Sequence, residues 1–138
     1  MATINMQLMR YINILDKASH VKTRKCFVYN NTVYFAVNKE LISRAIGPSA
    51  INIRKMQEDI GKKIKIIREA EDVGDFQRFF DDIVSPVRVK SVETADGVVI
   101  VTAGSNQNKA SLIGRNKRRF EELKKIVQDF FGLSLKVV

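Results

Sequence analysis

The sequence predicts an α+β protein made of two small domains, each a three-stranded sheet backed by helices. A strand, a short helix, a glycine turn, a second helix and a strand occur in this order twice, around Gly47 and Gly114. Each copy follows a helical stripe and a β-hairpin signal, so both halves have the element order αββααβ. At 138 residues the chain would suit a single domain, but the repeat argues for two. We place the domains at 1–70 and 76–138, joined by an acidic linker at 71–75.

The first half begins with an amphipathic helix over residues 4–16, because apolar side chains recur at i, i+3, i+4 and i+7 from Leu8 to Leu15. Strands are predicted over 22–28 and 32–37. The turn between them is Asn30-Asn31, since asparagine tolerates the left-handed angles that tight hairpins need.

A short helix then follows Asn38, a candidate N-cap, and ends at Gly47. The next helix has an apolar stripe from Ile53 to Ile60, and Gly61 is placed to end it. Residues 64–67 alternate as the last strand of the first half.

The second half repeats this order. A phenylalanine-rich stripe over 76–83 predicts a helix that Pro86 stops. Residues 87–90 alternate as a strand, Asp96-Gly97 is a strong hairpin turn, and 98–102 return as the next strand.

A short helix over 108–113 then leads to Gly114, and a longer helix carries an apolar stripe from Phe120 to Phe130. Gly132 ends this helix before a strand over 133–137. The two glycines that bound the long helix lie 18 residues apart, against 14 for Gly47 and Gly61, so this helix is longer by about one turn.

The charge is uneven along the chain. The net charge is +9, with 13 Lys/Arg against 5 Asp/Glu in residues 1–70 and 11 against 10 in residues 71–138. Within the second half, residues 109–125 hold seven Lys/Arg and two Glu, around and behind Gly114. A basic surface of this kind predicts a polyanionic partner, either nucleic acid or an acidic membrane.

Each glycine turn combines two features that suit a phosphate. Glycine permits close backbone approach, and the helix behind it begins with free N–H groups and a partial positive charge. Two structural alternatives stay open: the glycines could serve only as helix–helix turns, and the run from Arg115 to Arg119 could be a solvated helix start. A cluster of cations at a helix N-terminus disfavours the helix, which favours the functional interpretation.

The helix–GxxG–helix unit flanked by strands resembles the KH fold, whose loop clamps about four nucleotides of a single strand. Each copy departs from that motif at its fourth position, which is Ala50 in one and Lys117 in the other. The order αββααβ is that of the prokaryotic, type II form. Stretches including 33–47, 59–64, 79–92 and Leu112-Ile113-Gly114 are similar to the tandem KH pair of the NusA family, and the compact form resembles archaeal NusA-like termination factors.

The resemblance implies single-stranded RNA, the nascent transcript, as partner in transcription elongation or termination, with RNA polymerase as a further candidate. The two glycine loops, together with cations close to them in the sequence, give these predicted RNA-binding residues: Arg44, Gly47, Pro48, Ser49, Ala50, Arg54, Lys55, Gly114, Arg115, Asn116, Lys117 and Arg118. The alternative is a protein-interaction module whose changed loops no longer bind RNA and whose basic face meets an acidic partner such as polymerase or a ribosome-associated factor.

Catalysis is not predicted, because no nucleophile constellation, metal spacing or P-loop is present. Cys26 cannot form an internal disulfide and is interpreted as a core residue, and His20 has no catalytic partner in the sequence. We therefore predict a non-enzymatic protein with no cofactor or metal. No signal peptide or long apolar run occurs, which predicts a soluble, cytoplasmic protein without a membrane partner.

Overall fold

In a computed structural model that describes residues 5–138, the chain divides into two compact units at the bond between Glu69 and Ala70. We call them the first unit, ending at Glu69, and the second unit, Ala70–Val138. Over the described residues both are mixed α+β, with six α-helices and two three-stranded sheets in all. The first unit contains α1 (Met6–Ser19), β1 (Lys25–Tyr29), β2 (Thr32–Val37), α2 (Ile42–Ile46), α3 (Ile51–Ile60) and β3 (Lys63–Arg68). The second contains α4 (Phe76–Val84), β4 (Ser91–Ala95), β5 (Val98–Thr102), α5 (Asn106–Ile113), α6 (Arg118–Phe131) and β6 (Ser134–Val137).

The two sheets have the same topology. In each, the middle strand of the sheet is antiparallel to the strand before it and parallel to the strand that closes the unit. The hairpins turn at the predicted residues, since Asn30 and Asn31 have φ of 50° and 59°, and Asp96 and Gly97 have φ of 50° and 77°. The parallel pairing requires a crossover connection between those strands, and the two helices with the glycine turn between them form it.

The core of the first unit lies between one face of its sheet and α1 and α3. Every residue of β2 is buried, and Val33, Phe35 and Val37 share a cluster with Leu15 and Met56 from the helices. The predicted apolar stripes of α1 and α3 are therefore the faces that pack on the sheet.

The core of the second unit is rich in phenylalanine. Phe76, Phe79 and Phe80 on α4 are buried, as predicted. Phe131 at the end of α6 packs against two of them, with ring centroids 4.5 Å from Phe76 and 5.7 Å from Phe79. On α6 the buried side chains are Leu123, Ile126 and Val127, whereas Phe120, which was expected in the core, is only half-buried.

The prediction of a strand over residues 87–90 is wrong, because β4 begins at Ser91. The N–H of Val87 donates to the Val84 carbonyl at 3.0 Å, and the N–H of Val89 donates to the Asp81 carboxylate at 3.3 Å. These groups bond back to α4, so they are not available to β5. Val89 is buried at 6% exposure, which explains the apolar alternation that imitated a strand.

Other element ends differ by a few residues. α1 continues to Ser19, beyond the predicted end at residue 16, and the predicted first residue, Ile4, lies outside the described residues. β1 begins at Lys25, because the Thr23 hydroxyl donates to the Ala36 carbonyl at 2.7 Å and replaces a backbone ladder bond there. α5 begins two residues early, capped by Ser105. In the acidic segment 71–75, Val73–Asp75 form a short 3-10 turn that leads into α4.

Candidate nucleic-acid interface

The two glycine turns have nearly the same backbone conformation. We call residues 47–50, Gly-Pro-Ser-Ala, the first turn and residues 114–117, Gly-Arg-Asn-Lys, the second turn. Gly47 has φ 79° and ψ 166°, and Gly114 has φ 75° and ψ 173°. This region of backbone space is occupied almost only by glycine. Both predicted glycine positions therefore have a backbone conformation that requires glycine.

The third and fourth residues of both turns are left-handed. Ser49 and Ala50 have φ of 52° and 58°, and Asn116 and Lys117 have φ of 57° and 60°. In each turn the fourth N–H donates to the glycine carbonyl, at 3.1 Å in the first and 3.2 Å in the second. The helices α3 and α6, of 10 and 14 residues, begin directly behind the turns. The N–H of the first residue of each helix donates back to the second residue of the turn, to the Pro48 or the Arg115 carbonyl. The N–H groups that these helices can offer to a ligand are therefore those of the residues that follow.

Side chains from the following helix fill the space beside each glycine. An ideal Cβ on Gly47 would lie 2.8 Å from Asn52 Nδ2 and 3.1 Å from Ile51 Cγ2. On Gly114 it would lie 2.7 Å from Arg119 Cγ and 3.1 Å from the Arg119 backbone nitrogen. A substitution at either glycine would therefore disturb the turn itself before it affected any ligand.

The first turn carries no charge of its own. Pro48 and Ser49 are exposed, and Ala50 is half-buried. Arg54 and Lys55 are exposed on α3, which places them beyond the turn rather than within it.

Arg44, the remaining candidate of the first unit, is occupied by other contacts. Its Nε donates to the Ser19 carbonyl and its Nη2 to the His20 carbonyl, both at 3.3 Å, at the C-terminal end of α1. A guanidinium there complements the negative end of the helix dipole. Its contact with RNA stays a prediction that competes with this structural contact.

The second turn concentrates positive charge. Arg115, Asn116, Lys117 and Arg118 are all exposed, so the structure brings the second set of predicted residues together on one segment. The next cation, Arg119, is half-buried and forms an ion pair with Glu122 at 3.0 Å.

No pattern in the sequence indicated that two residues, Asn52 and Arg119, position the turns. Asn52 Nδ2 donates to the Arg44 carbonyl at 3.1 Å, so it links α3 to the end of α2 across the first turn. Arg119 occupies the equivalent place in the second unit, five residues after the glycine, and covers Gly114 with its aliphatic part. The shared spacing was visible in the sequence, but an Asn and an Arg do not resemble each other, so the pattern gave no signal.

Three further features of the described residues bear on chemistry and location: the cysteine, possible metal ligands and possible membrane-spanning helices. Cys26 is buried at 1% exposure, and burial raises the pKa of its thiol to about 12, which fits the predicted core role. Among residues 5–138, no cluster of His, Cys, Asp or Glu could hold a metal ion. Nor is any helix in that range long and apolar enough to cross a membrane.

Comparisons with known proteins give similarities in sequence and in structure. No family model matches the chain. A stretch of 81 residues, 59% of the chain, is 27% identical to the probable transcription termination protein NusA of Methanocaldococcus jannaschii and spans 43% of that protein. The crystal structure of APE1850 is similar over 98% of this chain and 99% of its own length, with a TM-score of 0.65 and 25% identity. The sequence similarity suggests a NusA-related family, and the structural similarity supports a mixed α+β fold over nearly the whole chain.

Proposed function

We propose that this protein is a non-catalytic, single-stranded RNA-binding protein that acts in transcription elongation or termination through two tandem type II KH domains. The observation that carries the proposal is the repeat of one turn conformation, within a few degrees, at the same place in both units. Neither turn is needed in this unusual form to connect two helices, since many shorter connections do so without a glycine-only angle.

The chemistry of each turn fits a sugar-phosphate backbone. The N–H groups in the first turn of α3 or α6 and the cations on or behind each glycine turn favour phosphate, and none of them recognises a base. Binding through such contacts would be strongly salt-dependent and weakly selective for sequence. Each KH-like unit would cover about four nucleotides.

The transcription role comes from the relative. The M. jannaschii protein is named a probable transcription termination protein, and this chain matches 43% of it. On that basis we propose the nascent transcript as the ligand, RNA polymerase as a further partner and the cytoplasm as the location.

A specific observation favours the second candidate function, a protein-interaction module that binds an acidic partner. Ala50 and Lys117 adopt left-handed angles at the position where the KH motif has glycine, and Pro48 has no N–H to offer a phosphate. If these changes abolished RNA binding, the exposed cations would still attract an acidic protein surface.

A polarisation titration with short mixed-sequence RNA at several salt concentrations separates the two functions. The variant Arg115→Ala/Lys117→Ala/Arg118→Ala should weaken binding and lower the slope of log K against log salt by about 2, since each contact to a single strand contributes about 0.7.

The matched control is Lys124→Ala/Lys125→Ala/Lys136→Ala, which removes the same charge from exposed residues outside the second turn. It should change the slope far less. Equal slopes for the two triple variants would argue against phosphate contacts at the second turn, and parent protein that binds no RNA would favour the protein-interaction module.

A further inference from the structure

The two turns share a backbone but differ in charge at four equivalent positions on them and directly behind them. In the first unit these four positions are uncharged, although that half of the chain holds most of the net positive charge. In the second unit all four are cationic, while the remaining pair, Ser49 and Asn116, is polar and uncharged in both units. The equivalent pairs are Pro48 and Arg115, Ala50 and Lys117, Ile51 and Arg118, and Asn52 and Arg119.

The cations of the first unit lie further along the helix. Arg54 and Lys55 are exposed on α3, four and five residues after Ala50, which is about 6 Å along the helix axis. The equivalent residues of α6 are Glu121 and Glu122. Phosphates near the first unit would therefore be drawn away from the turn, whereas phosphates near the second unit would be drawn onto it.

At the position where the second unit has Arg118, the first unit exposes an apolar side chain. Ile51 is 38% exposed, is the first residue of α3, and bends over Gly47. It is one of few large apolar side chains left exposed in the described residues. An aliphatic surface gains nothing from a phosphate, but it gains from covering the face of a base.

We infer that the two turns contact different parts of RNA: the first turn contacts a base through Ile51, and the second turn holds phosphates through Arg115, Lys117 and Arg118. This inference rests on the proposed function. If Ile51 contacts a base, that contact contributes to RNA affinity independently of salt, whereas the phosphate contacts depend on salt.

The test compares an intact RNA strand with an abasic strand of the same length, which keeps the sugar-phosphate backbone and lacks the bases. Ile51→Ser should lower the intact-to-abasic affinity ratio by about tenfold, the change expected when an apolar surface of this size no longer leaves water. The salt slope should not change. Ile51→Leu keeps the apolar surface and should keep the ratio, and Val73→Ser, at an apolar residue 58% exposed, is the control.

Exchanging the side chains of Ile51 and Arg118 tests directly whether the first turn contacts a base and the second contacts phosphates. The two positions are comparable, because both residues are exposed and each is the first residue of its helix. Ile51→Arg should raise the salt slope by about 0.7, and Arg118→Ile should lower it by about 0.7. The affinity ratio should fall in the first variant and rise in the second.

The inference is overturned if Ile51→Ser weakens both strands equally, if it leaves both affinities unchanged, or if the parent does not distinguish the strands. Parent protein that binds neither strand would instead contradict the proposed function. Far-ultraviolet circular dichroism melts of each variant, matching the parent, establish that the changes act on binding.

Discussion

The first and second turns show that one backbone geometry can carry two different surfaces. Their glycines differ by only a few degrees in φ and ψ, and the same hydrogen bond closes both. Yet the first turn is uncharged and the second is cationic. The glycine, the space beside it and the two flanking helices specify the conformation. The remaining positions are therefore free to vary in chemistry, and a family-level motif identifies the place of a site better than its ligand contacts.

The cores of the two units differ as well. The buried face of α1 is carried by Tyr11 and Leu15, whereas α4 buries three phenylalanines. We expect the largest effect from Phe80→Ala, which should lower the free energy of unfolding by about 3 to 5 kcal/mol, because Phe80 is 1% exposed. Phe120→Ala should cost clearly less, since Phe120 is half-buried. Urea denaturation measures both, and equal losses would contradict this ranking.

Gly47 and Gly114 should also differ in how much stability the protein loses when each is replaced by alanine. Gly114→Ala brings a Cβ against the Arg119 backbone, so it should lower the free energy of unfolding by about 3 kcal/mol. Gly47→Ala brings a Cβ against the side chains of Asn52 and Ile51, which can shift, so it should lower the free energy of unfolding by about 1 to 2 kcal/mol.

The control for both is Gly61→Ala, where no atom lies within 4 Å and the backbone is left-handed helical (φ 77°, ψ 18°), a conformation that costs alanine about 1 kcal/mol. Urea denaturation curves check the order. If all three variants lose the same stability, the space beside the turns is not what requires glycine there.

The sequence predicted the element order and both hairpins because they depend on local signals: apolar period, and Asn or Gly at left-handed positions. It failed at residues 87–90, where the N–H groups of Val87 and Val89 bond to α4 and only that of Lys90 bonds to β5, because alternation alone does not show which partner a backbone group finds. It also placed Arg44 among the RNA-binding residues by proximity to Gly47. The contact of Arg44 with the end of α1 joins residues 24 and 25 positions apart, and no local pattern reports such a contact.

Arg44 and Arg54 therefore make a direct comparison within the first unit. Arg44→Met should lower the free energy of unfolding by about 1 kcal/mol, because it removes a cation from the C-terminal end of α1, and it should leave the salt slope of RNA binding nearly unchanged. Arg54→Met should do the reverse, with stability retained and the slope lower by about 0.7. Thermal melts measure the stability of both variants, and salt titrations of RNA binding measure the slope of each. A slope change in Arg44→Met as large as that in Arg54→Met would return Arg44 to the binding surface.

The smallest change restores the glycine of the KH motif at the fourth position of each turn, and we expect it to have opposite effects on binding in the two units. Ala50 and Lys117 have φ near 60°, a conformation that is about 1 to 2 kcal/mol less favourable for a residue with a side chain than for glycine. Glycine offsets about 0.5 to 1 kcal/mol of this gain, because it loses more conformational entropy on folding. Ala50→Gly and Lys117→Gly should therefore each stabilise the protein by about 0.5 to 1 kcal/mol, or leave it unchanged. Ala50→Gly removes a methyl from the first turn and changes no charge, so RNA affinity should rise slightly at constant salt slope. Lys117→Gly opens the second turn in the same way but removes a cation, so the slope should fall by about 0.7 and affinity at low salt should decrease. If both variants raised affinity equally, the backbone of the turns would dominate binding in both units, and the charge of the second turn would be incidental.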